Sequence, residues 1–331
     1  MIAAWRTVRG WHPLLAYFTV AMAAVAVVST VGYVIDPRIL VGAPIWAKPL
    51  KFSIAFGVYA VTLAWMLSLL RGPRLQVLAR RAGTVLAVAS GLEMTAIVLQ
   101  VIRGHQSHFN KSTPFDAAVY ATMGVQVVII FTCTLIVAVA LTLTPLADRA
   151  ITWAVRLGLG ICLAGMSVGF LMVVPRTAQL QGDGTIIGAH SVGVPDGGPA
   201  LPFVGWSTTG GDLRIAHFIG MHALQALPLL AIALTLIPQA SRLTERTRVH
   251  IVVLAAATYA GVVVLTLWQA LRGQPLTAPD TTTLIAAGAI LVAVTATAAA
   301  IALTARGRSQ QPARAITALS TRTAAAPESA A

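Results

Sequence analysis

Eight apolar stretches, each long enough to cross a lipid bilayer, are spaced along this chain, and that pattern leaves few folds open. Inside lipid every backbone polar group must be satisfied within its own segment, so stretches of this kind are helices. They run over Pro13–Ile35, Pro49–Leu70, Ala82–Ile102, Phe115–Leu143, Ile151–Val174, Leu213–Ile237, Val249–Leu271 and Thr281–Thr304. The expected fold is all-α: a polytopic integral membrane protein with eight transmembrane helices. Only 10% of the residues are charged, far below the quarter usual in soluble domains. The first stretch is too long for a signal-peptide core and lacks a cleavage site, so it is read as a span.

The basic residues set the orientation. Fourteen fall on one side: Arg6 and Arg9; Arg71, Arg74, Arg80 and Arg81; Arg149; Arg242, Arg246 and Arg248; and Arg306, Arg308, Arg314 and Arg322. Eight others (Arg38, Lys48, Lys51, Arg103, Lys111, Arg176, Arg214 and Arg272) fall on or near the other side. The reading is a plasma-membrane protein with both termini cytoplasmic. The net charge of +13 is accounted for by this placement and by anionic lipid, with no nucleic-acid partner implied. Twenty arginines against three lysines, with abundant alanine, match a GC-rich bacterial genome. Cys133 and Cys162 lie inside spans, which argues against a disulfide framework or a zinc site.

Two segments repeat. Span 3 ends Gln100-Val-Ile-Arg103-Gly104 and span 7 ends Gln269-Ala-Leu-Arg272-Gly273. Span 2 opens Leu50-Lys51 and span 6 opens Leu213-Arg214. The expected organisation is two parallel four-helix repeats, residues 1–145 and 146–305, followed by a disordered cytoplasmic tail, 306–331. Parallel repeats of this kind occur in one class of transporters. The second half carries a long outer loop, 175–212, whose apolar pieces Ile186-Ile187, Phe203-Val204 and Trp206 suggest that part of it folds over the helices.

Glu93 stands in the middle of span 3, where an ionisable side chain is costly and points to function. By helix rise it lies roughly 15 Å below Arg103, and His222 lies roughly 12 Å below Arg214. Gln126 and Gln225 fall in the same layer. The expectation is therefore one polar cluster of Glu93, His222, Gln126 and Gln225, with Glu93 and His222 sharing a proton and Gln100 continuing the strip outward. Lys51, Arg214 and His217 would line the entrance, with His108 a further candidate after span 3; Lys51 with Arg214 and Arg103 with Arg272, four cations round one outer mouth, would suit an anionic ligand or lipid headgroup. Thr113-Pro114-Phe115-Asp116 reads as a capped helix start, and Asp212 as a cap for span 6.

The leading functional expectation is a transporter or permease-like protein, not an enzyme, that binds a small solute from the outer side. The rivals are a haem- or quinone-linked redox or lipid-modifying enzyme and a non-catalytic scaffold. No cofactor is expected; haem b is kept as an alternative resting on His222, the one deep histidine. No metal site is expected, since His217 and His222 are five apart, about 140° round a helix, which is poor for chelation.

Overall fold

The computed structural model describes residues 2–241 and 243–324. The helices are α1 (Ile2–Trp11), α2 (Pro13–Ile35), α3 (Ala47–Ser68), α4 (Pro73–Arg103), α5 (Pro114–Thr142), α6 (Arg149–Met172), α7 (Thr177–Gln181), α8 (Leu213–Leu236), α9 (Pro238–Ser241), α10 (Glu245–Leu271) and α11 (Thr281–Ala324). Eight of them are long and apolar enough to cross a membrane: α2, α3, α4, α5, α6, α8, α10 and the Thr281–Ala305 part of α11. The protein is a polytopic bundle of membrane helices. Side chains past Ala305 lie outside the described residues, as does 325–331, so the tail expected to be disordered is not described further.

Helix starts follow side-chain capping. Thr113 accepts from the Asp116 N–H, Asp148 from Ile151 and Thr244 from Thr247. Asp212 likewise caps α8. Two helices begin earlier than hydropathy places them: α4 at Pro73 and α10 at Glu245. Hydropathy marks where a helix turns apolar; Gly72 and Pro73 mark where α4 begins, and its first turns carry the exposed Arg74, Arg80 and Arg81. The short helix α1 was not foreseen. His12 separates it from α2, with extended backbone and a ring Nδ1 that accepts from the Leu15 N–H.

Two sets of four helices share one neighbour scheme. In α2–α3–α4–α5 and in α6–α8–α10–α11, the first packs on the second, the second on the third, the first on the third, and the third on the fourth. The sets meet through α5 with α6 and α3 with α8. The closest crossing is α6 on α8, where a Cβ added to Gly165 would stand 2.7 Å from Gly220 backbone. Small residues let membrane helices approach this closely. The apolar window of α11 has no buried residue, and the helix packs mainly on α10.

The loop after α6 folds back onto one end of the bundle, called here the loop end. The Ala189 N–H donates to Met172 O at 2.9 Å, and Ile187 to Phe109 O at 2.9 Å. Strand β3 (Ser191–Val192) pairs antiparallel with β4 (Gly211–Asp212), directly before α8. A smaller pair, β1 (Ile39–Leu40) with β2 (Ala43–Pro44), links α2 to α3 at the same end.

Candidate functional site

Under the folded loop, α3, α4, α8 and two connecting segments bring a polar cluster together. Glu93 is 1% exposed on α4, and neither carboxylate oxygen has a hydrogen-bond partner among the described residues. His108, in the segment after α4, comes closest to pairing with it, with Nε2 3.6 Å from Oε1, an ion pair only when the ring is protonated. The other ring nitrogen, Nδ1, stands 2.9 Å from Lys48 Nζ and 3.1 Å from Ser107 Oγ. An ammonium can only donate. With Lys48 charged, Nδ1 is the acceptor, and the ring proton sits on Nε2, facing Glu93. The segment Lys48–His108–Glu93 is thus a line along which protons can be exchanged.

The His108 ring is held edge-on by Phe52 and Phe109, each with centroids 6.1 Å away. Burial, then Lys48, then His190 and His217 push His108 well below the ordinary histidine range. His190 lies in the loop. Its Nδ1 is 2.8 Å from Asp196 Oδ2, and the Asp196 carboxylate also accepts from the His190 and Ser191 backbone N–H groups. Asp196 is held below the usual carboxylate range: burial opposes its charge, but the His190 and backbone hydrogen bonds outweigh that. His190 is itself lowered, because burial outweighs the help of Asp196. His217 on α8 is fixed by Nδ1 on Gly165 O at 2.8 Å, with its ring against Gly169.

Toward the loop, Lys51 donates to Val204 O at 3.1 Å and Arg214 to Gly205 O. Arg214 is also paired with Asp212, 2.6 Å away. A Cβ at Gly205 would lie 3.7 Å from Lys51 Nζ and 3.9 Å from an Arg214 nitrogen, so both cations converge on one turn.

The expected pairing of Glu93 with His222 is corrected: Glu93 meets His108 instead. His222 is exposed, and its Nδ1 is 3.3 Å from Gln225 Oε1 on its own helix. The pairing rested on depth estimated from helix rise, which says nothing of azimuth. His217 faces α6, and five residues further the helix has turned by about 140°, carrying His222 away from that face. His222, the deep histidine on which the haem alternative rested, is exposed on α8. Gln126 is buried on α5 with no hydrogen bond among the described residues. Gln100 is buried but serves the end of α4: its Nε2 donates to Asp116 at 2.8 Å and to Gln106 O, and its Oε1 accepts from Arg103. Arg103 is paired with Asp116, and Arg272 with Asp280, so these two arginines hold helix connections together and do not ring the mouth.

Lys48 was read only as an outer cation, and His190, Asp196 and Ser107 went unnoticed. For His190 and Asp196 the one signal was apolar sequence in a Gly- and Pro-rich loop, which announced folding but not which polar residues it would deliver. No group of His, Cys, Asp or Glu among the described residues is placed to hold a metal ion. Comparison with protein-family models, with curated proteins and with solved structures finds no match.

Proposed function

We propose that this chain is a proton-linked, permease-like membrane protein that takes a small solute at the loop end. We take that end as the outer side of the plasma membrane, with both termini cytoplasmic, a reading the arginine distribution supports. The observation that carries the reading is the Glu93 carboxylate, buried in a membrane helix with no hydrogen bond to either oxygen among the described residues and a histidine Nε2 3.6 Å away. A purely structural polar core would close its hydrogen bonds, because an unmet buried acceptor is costly. A site that takes and releases protons leaves that group open to a changing partner. Two four-helix sets with one neighbour scheme fit the parallel repeats of transporters.

A second reading, a membrane enzyme acting at the loop end, is favoured by the His190–Asp196 pair, which leaves His190 Nε2 free as a base. One experiment tests the first reading and separates the two. Proteoliposomes carrying a pH-sensitive dye are exposed to a panel of small carboxylates, amino acids and phosphate. Permease function gives solute-dependent proton movement that Glu93→Gln abolishes. No movement with any solute, together with chemical conversion of a lipid or solute that His190→Gln stops, would favour the enzyme.

A further inference from the structure

We propose that Lys51 and Arg214 form an oxyanion site for which the tip of a loop hairpin competes. The hairpin spans residues 199–208, with Ala200 bridged to Ser207, Leu201 N donating to Trp206 O at 2.8 Å and Gly205 N to Leu201 O at 2.9 Å. Its tip carries Phe203 at φ 64°, in the left-handed region that a phenylalanine rarely occupies, and Gly205 at φ 70°. The two carbonyls that follow Phe203, those of Val204 and Gly205, are the groups that Lys51 and Arg214 hold. Two adjacent carbonyl oxygens on two cations have the layout of a carboxylate or phosphate bound by the same pair.

The charges say which occupant is the better partner. Arg214 has a carboxylate at Asp212, but Lys51 makes no ion pair within 4.0 Å among the described residues. A half-buried ammonium held only by a neutral carbonyl gains more from an ionised oxygen, because a full charge–charge attraction replaces an ion–dipole contact. The pair comes from matched positions in the two helix sets, Leu50-Lys51 and Leu213-Arg214, so one cation is supplied by each half at their junction. An oxyanion arriving there displaces the tip and frees the hairpin from the bundle end. This names the ligand class of the outward site and rests on the permease reading above.

The test places a spin label on Phe203→Cys, at the exposed tip; the native Cys133 and Cys162 are buried. Label mobility is followed in nanodiscs while sodium phosphate or sodium acetate replaces sodium chloride at constant ionic strength. The expected result is saturable mobilisation, with the midpoint raised about tenfold by Lys51→Gln, the scale of one lost charge-assisted hydrogen bond, and unchanged by Arg38→Gln. Nanodiscs of phosphatidylcholine against phosphatidylglycerol identify the source. Response to the free anions in phosphatidylcholine assigns a solute; mobilisation only with phosphatidylglycerol assigns a lipid headgroup. A label unmoved under every condition, or an equal midpoint in Lys51→Gln, overturns the site. A responsive hairpin without solute-driven proton movement overturns the permease reading and leaves the site standing; Glu93-dependent proton movement with an unresponsive hairpin does the reverse.

Discussion

His108 Nε2 stands 3.6 Å from Glu93 Oε1, while Nδ1 of the same ring is 2.9 Å from Lys48 Nζ. One imidazole therefore links a cation that opens α3 to a carboxylate in the middle of α4. The first prediction follows from that linkage. Solute-dependent proton movement in proteoliposomes should fall by at least about a hundredfold in Glu93→Gln, His108→Gln and Lys48→Gln, the low end of what one proton-transfer group contributes. His222→Ala should leave it near wild type, because His222 is turned away from the cluster. Loss of activity in His222→Ala with retention in His108→Gln would reverse the assignment.

The second prediction concerns pH and stability. His108 is held well below the ordinary histidine range by burial, then by Lys48, so the native protein resists its protonation. The unfolded chain takes up that proton near pH 6.5. Its contribution is therefore fully present above about pH 6.5 and is lost as the pH falls toward the lower native value, at about 1.4 kcal/mol per pH unit for one proton. Denaturation followed by tryptophan fluorescence should show stability falling with pH in this window, and His108→Gln should reduce that slope. His190, also lowered, maintains part of it. An unchanged slope in His108→Gln would contradict the burial assigned to the ring.

A third prediction sets two similar ion pairs against each other. Arg103–Asp116 and Arg272–Asp280 join matching helix ends, but Asp116 is fully buried while Asp280 is 35% exposed. Removing Arg103 takes the arginine from a buried carboxylate that keeps its Gln100, Ser112 and Thr113 hydrogen bonds and His105 3.3 Å away, which costs up to about 3–5 kcal/mol. Removing Arg272 leaves a carboxylate that water can reach, so the cost is small. Thermal unfolding of Arg103→Ala and Arg272→Ala in the same detergent should show that order; equal shifts would mean that Asp116 is reached by water.

The fourth prediction uses glycines. Gly165→Ala puts a methyl group against Gly220 backbone, which no rotamer can relieve, and should destabilise by about 1–3 kcal/mol. Gly124→Ala meets nothing within 4 Å on α5 and should stabilise by about 0.5–1 kcal/mol through lower backbone entropy in the unfolded chain. Opposite signs in one denaturation series support the α6–α8 crossing; a neutral Gly165→Ala would argue against it.

The spans were legible because hydropathy reports directly on the solvent a helix meets, and all eight were found within a few residues except the polar first turns of α4 and α10. Position along a helix axis was legible too, since helix rise is fixed. Azimuth was not: a single sequence does not say which face of an apolar helix meets a neighbour, and His222 was placed by depth alone. His108, His190 and Asp196 were harder still. Each enters the cluster because a connecting segment folds back through backbone hydrogen bonds such as Ile187 N to Phe109 O, which carry no side-chain signature. The repeated Gln100 and Gln269 motifs were visible for the opposite reason: each builds the same local turn, donating to the carbonyl six residues on, at Gln106 and at Pro275.

The central claim, that Glu93 exchanges a proton with its neighbours, is tested most directly by infrared difference spectroscopy of the purified protein. Spectra are taken as the pH is stepped from about 9 to about 5, a range that brackets histidines and buried carboxyls. The account predicts a protonated-carboxyl band that grows as the pH falls, is absent in Glu93→Gln, and shifts its midpoint in His108→Gln. A band identical in wild type and Glu93→Gln, or no carboxyl band that changes with pH, would contradict it.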